Sequence, residues 1–465
     1  MRHTEPDAAF RRRLRAILGA QAVLEDPADR WPYGYDNSRR QAMPALVSFA
    51  TAPEQVLEVV RLCAERRVPL VPRGRGTGTV GGSVPVAGGL ILSLERMDRI
   101  LEVNPDDRLM VVEPGVLNAA VQERAAGVGF FWPPDPSSGA YCTVGGNLSH
   151  NSAGPRAVKY GTPRENTLGL RAVTGAGEAL RTGFRTTKGV VGYDLTRLLI
   201  GSEGTLAVLT EATLKLTPSP EARLALRAAY RDIAGAAAAV ARIMAQPVIP
   251  SALEYIGGLA VDLVRGAPGV ALPQETAALL LIEVDGPSDC VEQAARAVGA
   301  AAKGAGLLDL AVATRGEEAA DLWAARKALS PALRTLAPKK INEDVAVPVS
   351  RLPALIDAIE GLSARHAVPI VHFGHAGNGN IHTNLMVDPA VEGQLERSRQ
   401  CLSEVFDRVI ALGGTISGEH GVGLEKQPFV PREIDPATLA VMRRIKQNLD
   451  PHGILNPGKL FPPVT

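Results

Sequence analysis

The sequence predicts an α+β chain of two domains, the second built on an antiparallel sheet with helices. Three observations carry this expectation. Apolar periods of two and of about 3.6 residues alternate along the chain. A glycine-rich run, Pro72–Gly82, separates two strand patterns in the first half, and Thr217-Pro-Ser-Pro220 stops both helix and sheet near the middle.

The first domain is expected over residues 1–220. Ala45–Phe49 is a short apolar strand, after which Thr51-Ala-Pro53 starts a helix with proline in its first turn. Val56, Val59, Val60, Cys63 and Ala64 share one helical face, and Pro69–Val71 is the next strand of a β-α-β unit. Gly89–Leu94 is another strand, Val111–Pro114 a further one, and Val116–Ala126 a helix. Trp132–Gly161, rich in glycine and proline, reads as one long loop, and such loops in compact domains usually carry function. Arg171–Val173 and Leu206–Leu216 return to strand alternation. The second domain, expected over 221–424, contains the helix Ile233–Ala245, the strand Ala278–Val284, and the helices Ser288–Ala305 and Glu317–Leu336. Residues 425–465 form a C-terminal segment.

Composition removes several function classes. A chain of 465 residues is long enough for two or three ordinary domains. Hydrophobic residues make up 46%, yet no stretch nears the roughly 20 apolar residues needed to cross a bilayer. Met1–Leu24 carries Arg11, Arg12, Arg13 and Arg15 and no apolar signal core, so the expected location is cytoplasmic, with peripheral membrane attachment allowed. A net charge of +1 gives no electrostatic footprint for nucleic acid. Cys63, Cys142, Cys290 and Cys401 lie far apart, without metal-type spacing, and are expected as buried thiols.

Gly76-Thr-Gly78-Thr-Val-Gly81 fits G-x-G-x-x-G, but the Rossmann use of that motif needs a helix directly after it. Ser83-Val-Pro85-Val and a strand follow instead. No Gly-Lys-Ser/Thr closes the run, which removes the P-loop reading. Bare backbone at Gly74, Gly76, Gly78, Gly81 and Gly82 can still gather N–H groups around a phosphate.

Together with segments downstream, this run resembles a known family. Pro72-Arg-Gly-Arg-Gly-Thr-Gly78 with Gly82 is similar to the pyrophosphate loop of the vanillyl-alcohol-oxidase-type FAD domain. Pro133-Pro134-Asp135-Pro-Ser137-Ser, Thr143-Val-Gly145-Gly146-Asn147, Asn151-Ser-Ala-Gly154, Lys159-Tyr160-Gly161 and Gly201-Ser-Glu203-Gly204 look like its flavin-contacting segments. The resemblance is strongest to the branch of the glycolate oxidase FAD subunit, D-lactate dehydrogenase and D-2-hydroxyglutarate dehydrogenase, over about residues 40 to 462. It implies a two-subdomain FAD-binding domain plus a cap domain. It implies cofactor contacts from Pro72, Arg73, Gly74, Arg75, Gly76, Thr77, Gly78, Gly82, Pro134, Asp135, Ser137, Thr143, Gly145, Gly146, Asn147, Asn151, Gly154, Tyr160, Gly161, Glu203, Gly204 and Asn456. Thr77 and its neighbours include no histidine for covalent attachment, so FAD is expected to be non-covalent.

Five of the eight histidines fall between His366 and His420. Asn378-Gly379, between alternating flanks, is a strong hairpin signal. A two-residue turn there would set His375 directly across from His382, close enough for two imidazoles to share an ion. Asn384 would share the face of His382, with His372 on the other. Glu419 and His420 stand between glycines and add a carboxylate and an imidazole. Two histidines and a carboxylate make an open catalytic metal site, of a kind that also serves non-haem iron oxygenases. The family resemblance implies more: His375, His382 and Glu419 as ligands of a divalent metal, zinc or manganese, with His420 as the catalytic base. Asn378 departs from the family's usual aspartate, which bears on metal affinity or on the turn alone.

Arg326 and Ser330 lie i, i+4 on the expected helix, and arginine offers a planar fork to a carboxylate. Similar Leu-Trp-x-x-Arg segments in relatives use that arginine on substrate, and Lys340 and Asn384 are further candidates. The implied reaction is FAD-dependent oxidation of a small D-2-hydroxy acid. The electron acceptor stays open among a quinone, an electron-transfer flavoprotein, an iron–sulfur subunit and oxygen. The alternatives are a FAD-bearing subunit of a larger complex and a flavin oxidase of another alcohol such as a sugar lactone; a homodimer is also allowed.

Overall fold

The computed structural model describes residues 3–267, 270–313, 318–319 and 322–462. They divide into two compact units. The first holds Met1–Gly154, Gly161–Ser219 and Glu419–Thr465; the second holds Pro155–Tyr160 and Pro220–Gly418. The second cut thus precedes the 424 expected from sequence, and Pro155–Tyr160, expected with the first domain, group with the second.

Three sheets build the first unit. Strands β1 (Val23–Leu24), β2 (Leu46–Phe49), β3 (Leu70–Arg73) and β4 (Leu90–Ser93) lie in the order β1-β2-β4-β3. The expected β-α-β unit is present, and β2 and β3 each pair in parallel with β4, which inserts between them. The helix Pro53–Arg66 makes the crossover. Proline stands in its first turn, Val56, Val59, Val60 and Cys63 are buried, and Arg67 ends it in the left-handed region. The other sheet strands are β5 (Ile100–Asn104), β6 (Leu109–Val112), β8 (Thr167–Thr174), β9 (Ala179–Gly183) and β10 (Ala207–Lys215), all antiparallel in the order β5-β6-β10-β8-β9. The short strands β7 (Phe130–Phe131) and β11 (Thr217–Pro218) pair with each other.

The stretch Trp132–Gly161 is not one loop. Thr143 caps a helix, Val144–His150, by accepting the Gly146 N–H, and Val144 and Leu148 enter the core with Trp132. Its glycines masked the helix in the sequence. At the far end of the chain, Leu455 bridges to Leu70, and Ile454 and Leu455 join the core around β2, β3 and β4.

One antiparallel sheet organises the second unit. Its strands are β12 (Ala222–Tyr230), β13 (Ala252–Gly257), β14 (Ala278–Gly286), β15 (Leu307–Ala313), β16 (Lys339–Ala346), β17 (Ile370–Gly374) and β18 (Asn380–Val387), in the order β15-β12-β14-β13-β17-β18-β16. On one face Ile256, Leu279, Val371, Phe373 and Met386 pack with Ala260, Val261, Val264, Ala325, Leu329 and Leu333 from two helices, Leu259–Val264 and Ala324–Ala332. The latter is shorter than the expected Glu317–Leu336: a 3-10 turn, Leu333–Thr335, follows it, and Glu317 lies outside the described residues. Among the described residues, no helix is long and apolar enough to cross a membrane.

Candidate active site

In the second unit the ladder aligns a row of polar residues on one face. Phe373 pairs with His382, His382 with Asp344, Val371 with Asn384, and Asn384 with Asn342. Residues paired across an antiparallel ladder project to the same side. This register corrects the two-residue turn. Ala376–Asn378 forms a 3-10 turn, Gly379 follows at φ 71°, and the Asn380 N–H donates to the His375 carbonyl at 3.2 Å. His375 is therefore the diagonal neighbour of His382, not its direct partner. The two rings still meet, with centroids 5.1 Å apart and planes at 83°. Each can offer a ring nitrogen within 4.8 Å of the other's. Both are buried, whereas Asn378 is exposed.

Behind His375 stands a residue that the sequence reading missed. Glu254 on β13 is buried, and its Oε1 accepts from His375 Nδ1 at 2.5 Å while Oε2 accepts from Arg326 Nε at 2.9 Å. The Arg326 guanidinium also lies 4.9 Å over the Phe373 ring. Burial pushes the Glu254 pKa up, but His375 and Arg326 outweigh it and hold it down at about 2. A carboxylate inside the apolar run Ala252-Leu-Glu-Tyr-Ile was the available signal, because a buried charge needs partners. Asp344, fully buried across from His382, was missed likewise; Ser417 Oγ donates to it at 3.4 Å.

The remaining substrate candidates differ in their settings. Asn384 Nδ2 donates to the Val371 carbonyl at 3.2 Å, and its buried Oδ1 has no partner among the described residues. Lys340 is exposed on β16, paired with Met386. The Ser330 side chain lies outside the described residues. His372 is on the opposite face, its Nε2 against Glu360 Oε1 at 2.5 Å. Tyr160 donates to Asp285 at 2.8 Å, and Lys159 joins the same carboxylate. Both belong to the second unit.

In the first unit the glycine-rich loop leaves its amides open. Among the described residues, no backbone N–H from Gly74 to Gly82 donates to a protein acceptor, although Gly81 and Gly82 are buried. Buried amides are almost always paired, so a row of open ones fits a bound anion. The side chains flanking the loop are spent on the fold. Buried Arg73 donates to Ser83 Oγ at 2.9 Å and to the Pro32 carbonyl at 3.4 Å, and Arg75 Nε lies 3.6 Å from Glu95. By contrast, the amides opening the helix Val144–His150 are satisfied: Val144 by Val116, Gly145 by Pro114, Gly146 by Thr143.

Around that loop the C-terminal return is fastened. Asn456 Nδ2 donates to the Gly82 and Glu203 carbonyls at 2.8 and 2.7 Å, and Glu203 accepts from the Val422 and Gly423 amides at 2.6 and 2.8 Å. Asn147 sits among Asn118, Cys142 and Ser152, and Asn151 accepts from Thr162 and Arg164. Pro134 supplies a carbonyl to Asn118, and Pro72 packs beside Gly204. Asp135 donates its amide to the Ala153 carbonyl, and Gly154, at φ 86°, packs where a Cβ would strike the Asp135 carbonyl. The Gly154 amide donates to Glu419 Oε2 at 2.8 Å, and the His420 carbonyl meets His150 Nδ1 at 3.0 Å. Within the second unit, a Cβ on Gly418 would strike the Asn380 side-chain amide. Cys63, Cys142 and Cys401 are buried as expected of thiols in a core, but Cys290 is exposed.

Open amides suit a phosphate-bearing cofactor, and an arginine beside two imidazoles suits an acid substrate, as expected of a flavin-linked oxidoreductase. Family models agree. Residues 44–183 match the FAD binding domain, and 219–460 match the C-terminal domain of FAD linked oxidases. The chain belongs to this FAD-linked oxidase family. It is 39% identical over 449 residues to the glycolate oxidase subunit GlcD of Bacillus subtilis (strain 168), covering 96% of each chain. It is 34% identical over 432 residues to D-lactate dehydrogenase of Anaerostipes hadrus, covering 90% of each. Among solved structures, p-cresol methylhydroxylase with substrate bound shares the fold at a TM-score of 0.77, with 17% identity over 97% of this chain and 96% of that one.

Proposed function

We propose that the chain oxidises a small D-2-hydroxy acid, of the glycolate, D-lactate or D-2-hydroxyglutarate class, to the 2-oxo acid. The observation that carries this reading is the buried His375–His382 pair beside Arg326, in a chain whose relatives are named for glycolate and D-lactate. His375, His382 and Glu419 would hold a divalent metal, zinc or manganese. Glu254 on His375 Nδ1 supports the fit, because it leaves Nε2 as the ligand atom. Such a metal supplies Lewis acidity at the substrate hydroxyl.

The open amides of Gly74–Gly78 would hold the FAD diphosphate, with Thr143, Gly146 and Asn456 as further cofactor contacts. Bound FAD supplies the acceptor for the hydride that leaves C2. Arg326 uses its terminal nitrogens on the substrate carboxylate, and His420 takes the hydroxyl proton. Asn384 contributes an unmet buried amide oxygen as an acceptor. Asn378 is exposed, and its departure from aspartate is assigned to the turn and not to the histidines.

A second reading is favoured by the Bacillus subtilis relative, which is a subunit of glycolate oxidase by name. In it the chain is the FAD-bearing member of a complex and passes electrons to a partner. Either way, D- and L-2-hydroxy acids added anaerobically to the purified protein, with and without chelator, test the chemistry through flavin bleaching. D-acids should bleach the flavin, chelator should slow this, and His420→Ala should keep the flavin spectrum while bleaching on the order of 100-fold slower or worse. Chelator-insensitive bleaching by an uncharged alcohol would defeat the proposal, as would a colourless protein that refuses FAD.

A further inference from the structure

We infer that Glu254 is a positioning residue that sets two functional groups at once: the ligand nitrogen of His375 and the carboxylate-binding fork of Arg326. The inference rests on the metal reading above and extends it to a residue outside the ligand set.

A neutral imidazole carries one N–H, and the nitrogen without it is the one that can bind a metal. The 2.5 Å contact from His375 Nδ1 to Glu254 Oε1 places that proton on Nδ1, which makes Nε2 the nitrogen that carries the lone pair. A carboxylate in this place also raises the basicity of the imidazole and stops the ring from turning. The other oxygen, Oε2, takes Arg326 Nε at 2.9 Å, and among the described residues no hydrogen bond engages the two terminal nitrogens, which form a parallel pair suited to a second carboxylate.

Placement makes the coupling rigid. Glu254 is central in β13, paired with Leu281 of β14, and only 1% of its side chain is exposed. Arg326 comes from the helix Ala324–Ala332, whose neighbours Ala325 and Leu329 are packed on the same sheet face. One buried carboxylate therefore ties a strand-borne imidazole to a helix-borne guanidinium. A charge so deeply buried is costly unless paired, and these two groups are its pairing. A pair serving stability alone would need only the arginine; the use of both oxygens on two different functional groups is the reason for assigning a positioning role.

The test uses FAD-loaded protein stripped of metal and titrated with cobalt(II), followed by its visible ligand-field bands, on wild type, Glu254→Gln and Glu254→Asp. Glu254→Asp keeps the charge but withdraws it by one methylene, and so serves if the glutamine variant fails to fold. Wild type should bind cobalt, and both variants should bind about 10- to 100-fold more weakly with altered bands. KM for the 2-hydroxy acid should rise together with the loss of metal. Wild-type cobalt affinity and bands in folded variants would overturn the positioning role, whatever happens to their melting temperature. Failure of wild type itself to bind cobalt would instead overturn the metal reading on which the role depends.

Discussion

Lys459 carries an ammonium into the interior of the first unit, where its Nζ donates to the Val84 carbonyl at 2.6 Å and to Asn456 Oδ1 at 3.2 Å. Burial lowers its pKa from 10.5 to about 8, against the pull of Asp36 and Glu203. Below pH 8 folded and unfolded chains both hold the proton, and the burial cost is constant. Between about pH 8 and 10.5 the unfolded chain still holds it and the folded chain does not, so stability rises with pH through that window. Each pKa unit is worth about 1.4 kcal/mol, which makes the swing a few kcal/mol. Thermal melts of wild type and Lys459→Met across this range should show wild type gaining on the variant; a difference that stays flat with pH would refute the assignment. At this scale the sequence was partly legible. His375, His382 and Arg326 stood out by residue type and spacing. Glu254 and Asp344 did not: the apolar run around Glu254 marks a buried carboxylate, but the groups that pair with it come from distant segments.

The strands β17 and β18 and the turn between them form the element on which the imidazole pair depends. Asn378-Gly379 correctly marked a reversal here, yet the turn has four residues, and that shift changes which side chains are opposed. Gly379 explains why: it sits at φ 71°, its carbonyl accepts the Val347 N–H at 3.0 Å, and a Cβ would strike the Val347 carbonyl. Left-handed backbone costs a non-glycine residue about 1–2 kcal/mol before any clash. Gly379→Ala should therefore lower the melting temperature of the second unit by several degrees and loosen the His375–His382 pair. Circular-dichroism melts with a shift below a degree would show that the turn tolerates a side chain. The helix Val144–His150 shows the opposite failure. Glycines at its start hid it, since their weak helix propensity is overridden by the Thr143 cap and the burial of Val144 and Leu148.

Across the whole molecule, sequence-distant pieces make each unit. Ile454 and Leu455 complete the core built by β2, β3 and β4, and Asn456 pins the glycine-rich loop through Gly82. Leu455→Ala should cost about 2–5 kcal/mol, as for other large-to-small changes in a core, and should release FAD at a lower temperature than wild type. Unchanged flavin release on heating would show that the C-terminal return is not part of the fold that holds the loop. By itself the sequence determined the α+β class, the glycine-rich loop and the identities of the histidines, because periodicity, turn chemistry and residue type are local properties. Only the tertiary structure decided the strand order, the diagonal meeting of His375 and His382, and the bond from Glu254 to a histidine 121 residues away. Those outcomes depend on which distant surfaces pair and bury one another, a choice made by the free energy of the assembled sheet and not by any short stretch of chain.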